Sequence, residues 1–176
     1  MALSHAILAA LCDRTCSGYD LAKQFDGSVG FFWQASHQQI YRELSKLEAQ
    51  DLVEAELVQQ GDRPNKKLYQ VTEAGKAHLR QWILQPGTMS PVKDELLVKL
   101  FAGELVQPAE LQHELQHHRT QHQQRLAEYR AIETAYFTDA ESLPWPAQCQ
   151  YLTLKNGISF EMAWLVWCDE ALASLN

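Results

Sequence analysis

Residues 113–117 read HELQH. Two histidines four apart share one face of a helix, and a glutamate after the first can act as base toward a zinc-bound water. That chemistry also needs a third protein ligand and an open coordination position. The extended metzincin pattern requires Gly at position 120 and His at 123, where this chain has Thr120 and Gln123. Glu161 and Glu170 lie downstream, but no spacing singles either out as the missing ligand. His113, His117, His118 and His122 all fall in one amide-rich stretch, so a chance match is cheap. The expectation is therefore no catalytic residue, no metal and no cofactor. His118 and His122 differ from the motif pair. They lie on the inward stripe of their helix, where leucine is usual, and a histidine there could report pH.

A second constellation points to nucleic acid. The outer face of residues 36–50 carries Ser36, His37, Gln38, Gln39, Tyr41, Arg42 and Lys46. Amides pair with adenine edges in a major groove, while Arg and Lys meet guanine or phosphate. The stretch GDRPNKK adds Arg63, Asn65, Lys66 and Lys67, a small cationic finger suited to phosphates or a minor groove. A third group is aromatic. Trp33, Trp82, Trp164 and Trp167 could line a pocket for a small-molecule effector, although rings at helical spacing also make ordinary core.

These residues need elements to hold them. Leu3, Ile7, Leu8 and Leu11 form a helical stripe, and CDRTCSG breaks it. Ser17 is placed to cap a second helix, GYDLAKQF, with Leu21, Ala22 and Phe25 inward; GSVG ends it. A third helix spans about 36–50, with Ile40, Leu44 and Leu47 on its buried face. Alternation at Val53, Ala55 and Leu57, resumed over Leu68–Val71 after the Gly/Pro/Asn turn, reads as a β-hairpin. Thr72 then caps the helix TEAGKAHLRQWI, with Glu73 in its first turn. This order is that of a winged helix-turn-helix.

After the break QPGTMSP the chain reads as helical throughout. The run from 108 to about 136 carries a 4-3 repeat at Leu111, Leu115, His118, His122, Arg125, Tyr129, Ile132 and Tyr136. The last helix, from about Ala147 to Leu175, is apolar on two faces: Leu154, Ile158, Met162 and Leu165 on one, Phe160, Trp164 and Trp167 on the other. A helix apolar nearly all round is buried between partners. The dimer contacts are expected at Leu111, Leu115, His118, His122, Tyr129, Leu154, Ile158, Met162, Trp164 and Leu165. The fold class is mainly α with a small β-hairpin. Residues 1–85 would form a winged-helix DNA-binding domain and 88–176 an antiparallel helical dimerisation domain.

Composition permits this reading. At 176 residues and 46% hydrophobic, the chain can bury a real core. Its net charge of −7 argues against nucleic acid until it is divided. Residues 1–80 carry nine Lys/Arg and ten Asp/Glu, net −1; residues 81–176 carry six and twelve, net −6. The acidity belongs to the second half. Four cysteines without C-x-x-C suit reduced thiols. No apolar run approaches the ~20 residues of a membrane span. The N-terminus shows no basic leader or cleavage site, so a cytoplasmic protein is expected.

SGYDLAKQF, SHQQIYRELSKLEAQDLV and GDRPNKKLYQVTEAGKAHL together resemble the winged-helix domain of the PadR family of transcriptional regulators. The carriers are YRELSKLEAQDLV and the wing pattern P-x-K-K-x-Y-x-[VI]-T-x-x-G. VKDELLVKLF, the long polar helix and the terminal W-x-x-W-x-D-E-A-L are similar to the C-terminal domain of the family's virulence-activator branch, which includes regulators linked to quorum sensing. The resemblance implies a homodimer that binds double-stranded DNA at a pseudo-palindromic operator. It sets Tyr41 near phosphate, His37, Gln38 and Gln39 at the groove, and Arg63, Lys66 and Lys67 in the wing. It also implies an effector near the dimer interface in some members. The alternative class is a helical dimeric scaffold, or a ligand or pH sensor, without DNA binding.

Overall fold

The structure is a computed structural model that describes residues 2–25, 33–59, 65–89 and 91–175. Arg63 and the GSVG stretch lie outside the described residues. The chain divides into two compact units, residues 1–89 and 90–176.

In the first unit, α1 (Ala2–Asp13) is followed by a two-residue strand β1 (Cys16–Ser17), α2 (Gly18–Phe25), α3 (His37–Ala49), β2 (Val53–Val58), β3 (Lys66–Val71) and α4 (Glu73–Ile83). Its core is built from the expected stripes. Ile7, Leu8 and Leu11 of α1 pack with Leu21, Ala22 and Phe25 of α2 and with Ile40, Leu44 and Leu47 of α3. Val53, Tyr69 and Leu79 close it from the strands and α4. Burying so many aliphatic side chains, each worth about 1.5–3 kcal/mol, is what holds the unit together. His5 is also buried, and its ring stacks on Trp82 at 4.2 Å and on His78 at 5.3 Å.

The sheet has the order β1-β3-β2. β2 and β3 are antiparallel, in register from Val53↔Val71 to Val58↔Lys66. The sequence marks CDRTCSG, which holds β1, only as a break. β1 pairs with β3 through Cys16↔Tyr69 and Ser17↔Leu68, tying the entry to α2 onto the wing. Two residues carry no alternation, so no pattern could announce them. The hairpin leaves the core as it runs out: Val53 is buried, whereas Leu57 is 61% exposed.

Capping fixes the helix boundaries. Ser36 Oγ accepts from Gln39 N–H while Gln39 Oε1 accepts from Ser36 N–H, a reciprocal capping box at the start of α3. Ser17 Oγ accepts from Asp20 N–H at 3.1 Å. Thr72 Oγ1 accepts from Gly75 N–H at 3.0 Å at the head of α4.

The second unit contains α5 (Glu95–Phe101), a short 3-10 turn (Gly103–Leu105), α6 (Pro108–Tyr136) and α7 (Trp145–Ser174). α6 and α7 form an antiparallel hairpin whose ladder is explicit. Gln112 Nε2 donates to Leu175 O, Arg119 Nε to Asp169 Oδ1, His122 Nδ1 meets Glu161 Oε2, and Tyr151 Oη donates to Glu133 Oε1. Gly157 lies under the Tyr129 ring, where an added Cβ would come within 2.9 Å of the ring.

This hairpin corrects part of the dimer assignment. Leu115, Tyr129 and Ile158 are at most 5% exposed within one chain, so they are spent on its own packing. A 4-3 repeat reports that a partner helix exists, not which chain supplies it. His122 is likewise engaged with Glu161, and Trp164 stacks on His122 at 4.6 Å. Met162 is 45% exposed and remains available; Leu111, His118, Leu154 and Leu165 are half-buried.

Gly75 shows how tightly the first unit is closed. A Cβ there would run into the Leu52 carbonyl oxygen, a backbone atom that cannot swing aside, and into Val71 Cγ2 at 2.8 Å. Gly75→Ala should therefore destabilise the first unit by about 1–3 kcal/mol despite raising helix propensity. Chemical denaturation measures this, and a neutral or stabilised variant would refute the packing.

Candidate nucleic-acid interface

α2 and α3 are the two helices of a helix-turn-helix, and α3 turns its polar face outward. Its apolar side, Ile40, Leu44 and Leu47, is fully committed to the core. With 3.6 residues per turn, this forces His37, Gln38, Tyr41, Arg42, Ser45 and Lys46 to the surface, and all are exposed. Ser36 and Gln39 are exposed too, but each side chain is occupied by the capping box. The family resemblance sets Gln39 at the groove as well, but its amide oxygen is taken up by the helix start. His37 and Gln38, also in the first turn, carry groups of the kind that meet base edges. Arg42, among the described residues, is in no ion pair.

The wing is drawn against both helices. Lys66 Nζ lies 2.9 Å from Asp20 Oδ2 on α2, and Lys67 Nζ lies 2.8 Å from Glu48 Oε2 on α3. Lys67 also sits over the Tyr69 ring, 5.3 Å from its centroid. Asn65, beside them, is exposed. Lys46 pairs with Glu43 one turn back on α3, at 3.0 Å. The Lys66 ammonium, together with the Ser17 hydroxyl that donates to Asp20 at 2.7 Å, holds the Asp20 carboxyl below its ordinary range. Glu48 in turn holds the Lys67 ammonium above its usual value. Helix-turn-helix and wing thus present one surface on which acids and bases alternate.

Tyr41, 45% exposed, lies against Gly18 at the start of α2. A Cβ at Gly18 would collide with Tyr41 Cε1 and approach Cζ to 3.1 Å. Nothing in the sequence pattern marks this contact. Asp20 and Glu48 were missed as well, because a carboxylate on a helix gives no sign of facing a lysine far along the chain.

The other candidates fall elsewhere. His113 and His117 are exposed on α6, and His117 Nε2 lies 3.0 Å from Gln121 Nε2. Glu161, weighed as their third ligand, is buried against His122 instead. Among the described residues, no three His, Cys, Asp or Glu side chains gather at metal-binding spacing. His118 Nε2 is 3.5 Å from Glu114, which also binds Lys99. Of the tryptophans, Trp82 is stacked on His5, Trp167 packs edge-on against Trp164 at 5.0 Å, and Trp33 is 37% exposed. Trp33 and Trp82 belong to the first unit, Trp164 and Trp167 to the second. Burial pushes the Cys16 and Cys168 thiols up, which keeps them protonated and inert.

A helix-turn-helix backed by a lysine-bearing hairpin, followed by a long helical hairpin, defines a winged-helix regulator with an appended helical unit. Residues 7–81 match the model of the transcriptional regulator PadR-like family, and residues 92–176 match that of the virulence activator alpha C-terminal family. The chain is 40% identical to the probable transcriptional regulator Rv1176c of Mycobacterium tuberculosis, over 99% of this chain and 98% of that protein. Its fold matches Bacillus subtilis PadR in complex with operator DNA at a TM-score of 0.88, with 27% identity and both chains covered in full. It matches the Vibrio cholerae virulence activator AphA at 0.76, with 35% identity over 99% of this chain and 98% of that one. The chain belongs to the PadR-like family of transcriptional regulators.

The Gly18 contact gives a direct test of how α3 is presented. Gly18→Ala should turn the Tyr41 ring aside at a cost of about 1 kcal/mol or less, since a half-exposed ring can move where a backbone carbonyl cannot. Tyr41 ring-proton chemical shifts should change, and unchanged shifts would contradict the contact.

Proposed function

We propose that the chain acts as a homodimer that binds a pseudo-palindromic operator in double-stranded DNA and thereby regulates transcription in the cytoplasm, without enzymatic activity of its own. The observation that carries this reading is the joining of the wing lysines to α2 and α3, which makes recognition helix and wing one surface. α3 would enter the major groove with His37 and Gln38 toward base edges and Tyr41 and Arg42 toward phosphate. Lys46, Asn65, Lys66, Lys67 and Arg63 would follow the flanking backbone. The Bacillus subtilis relative has been solved in complex with operator DNA, which supports operator binding by this chain.

Dimerisation is supported by what the second unit leaves uncovered. Phe101 is 95% exposed, Val92 80%, Val98 68% and Val166 59%. So many large apolar side chains on one small unit call for a covering surface. A second copy, related by a two-fold axis, would supply it and would set two recognition helices on two half-sites. A small-molecule effector completes the reading. The Bacillus subtilis relative has also been solved with p-coumaric acid, which supports a small aromatic effector here. No helix among the described residues is long and apolar enough to cross a membrane.

Replacing both wing lysines, Lys66→Ala with Lys67→Ala, should weaken binding to every duplex and flatten the slope of log K against log salt by about one to two. Fluorescence anisotropy across a salt series measures both. A slope equal to that of the unmodified chain would remove the wing from the interface, and no binding of fragmented genomic DNA at low salt would favour a scaffold or sensor instead.

For the dimer, Phe101→Asp with Val166→Asp should leave the circular dichroism spectrum intact, because both side chains are exposed within one chain. Burying two unpaired carboxylates in an interface should loosen association by at least about a hundredfold. Sedimentation at micromolar concentration would show monomers; a persistent dimer would place the interface elsewhere.

A further inference from the structure

The lysines that the DNA surface offers already have anions. Lys66 is held by Asp20, Lys67 by Glu48 and Lys46 by Glu43, at 2.9, 2.8 and 3.0 Å. The first two pairs differ from the third in their reach. Each joins the wing to a helix of the helix-turn-helix across the fold, whereas Lys46–Glu43 is a neighbouring pair on one helix. Asp20 stays in place whether or not Lys66 is present, because the Ser17 hydroxyl also donates to it. Glu48 is carried on α3 itself. Side chains in both pairs are between 36% and 45% exposed, open to exchange with another anion. Exposed ion pairs of this kind are weak and break readily.

We propose that Asp20 and Glu48 are built-in competitors for DNA phosphate, holding Lys66 and Lys67 until a duplex displaces them and so keeping the sequence-independent affinity of the chain low. The proposal rests on the DNA-binding reading above and assigns two acidic residues to it. A lysine that leaves a carboxylate for a phosphate exchanges one ion pair for another. The abandoned carboxylate then attracts a fraction of a cation from solution, so fewer counterions are released in total while each lysine still contributes to the salt slope. Two consequences follow. Non-specific affinity is held down, since that affinity is almost wholly electrostatic. Discrimination then falls to the base-edge groups of α3, His37 and Gln38. This also gives the near-neutral charge of residues 1–80 a role, because acids placed beside the lysines set how strongly they pull on any duplex.

The test uses the full chain and a fluorescent duplex of arbitrary sequence, with salt varied from about 50 to 200 mM. Asp20→Asn with Glu48→Gln should bind that duplex roughly tenfold more tightly at low salt, with a salt slope steeper by up to about one. Glu48→Gln alone, which touches no helix cap, should give about half of the slope change and guards against misfolding of the double variant. Glu104→Gln with Glu141→Gln removes the same charge at two exposed positions and should leave the slope unchanged. An unaltered slope in Asp20→Asn with Glu48→Gln, while Lys66→Ala with Lys67→Ala flattens it, would overturn the competition and leave DNA binding standing. Equal steepening in the Glu104/Glu141 control would reduce the effect to net charge and overturn it too. Failure of every form to bind any duplex would strike the DNA-binding reading itself.

Discussion

Where α3 ends, the chain must turn from recognition helix to wing, and one small knot of backbone makes that turn. Asp51 takes a left-handed conformation, φ 55°, which an L-residue other than glycine adopts at some cost. Leu52 N–H then donates to Leu47 O, closing the helix, while Leu52 O accepts from Thr72 N–H at the far end of the hairpin. Thr72 Oγ1 donates to Asp51 O and accepts from Gly75 N–H. The end of α3, the start of β2, the end of β3 and the head of α4 are therefore fixed to one another. Gly75 has no side chain because the Leu52 carbonyl occupies its place. With the knot formed, the wing leaves in one direction only and Lys67 comes to rest beside Glu48.

From this constraint follows the electrostatic character of the surface. A hairpin fixed against α2 and α3 brings its lysines to the carboxylates those helices happen to carry, and burial does not force the pairing. Solvent-exposed pairs contribute little to stability, about 0–1 kcal/mol each. Their weight lies in what a polyanion must displace. The acidic second unit, net −6 over residues 81–176, adds a long-range field of the same sign as DNA. Affinity for a duplex has to come from a few well-placed groups rather than from bulk charge.

Much of this arrangement was legible in the sequence, and the reasons are physical. Ile40, Leu44 and Leu47 had to face inward because their spacing leaves no other stripe, so the outward face of α3 could be read residue by residue. Thr72 and Ser17 announced helix starts through their capping chemistry. Features that depend on distant partners were silent. β1 is two residues long and exists only because β3 lies beside it. Gly18 and Gly75 look like any other glycines until Tyr41 and Leu52 arrive over them. Gln39 carries the side chain of a base reader, yet three residues after a serine it also completes a capping box, and local geometry claimed it first. The 4-3 stripe of α6 misled in the same manner. Leu115 and Tyr129 meet α7 of their own chain, while apolar groups such as Phe101 and Val166 stay exposed within it.

The histidine motif resolves through this helical hairpin. His113 and His117 face outward, while His122, on the inward stripe, takes Glu161 as its partner. Glu161 is 3% exposed, so its carboxylate depends on that ring for compensation. Removing the His122 ring while keeping Glu161 would leave that side chain buried without its partner. Breaking a buried pair in this way costs about 3–5 kcal/mol. Replacing both partners by well-packed apolar groups would remove that penalty. Of the other three rungs, Arg119 with Asp169 and Tyr151 with Glu133 are more exposed. Glu161, a glutamate weighed as a third ligand for HELQH, is committed to His122 across the helical hairpin.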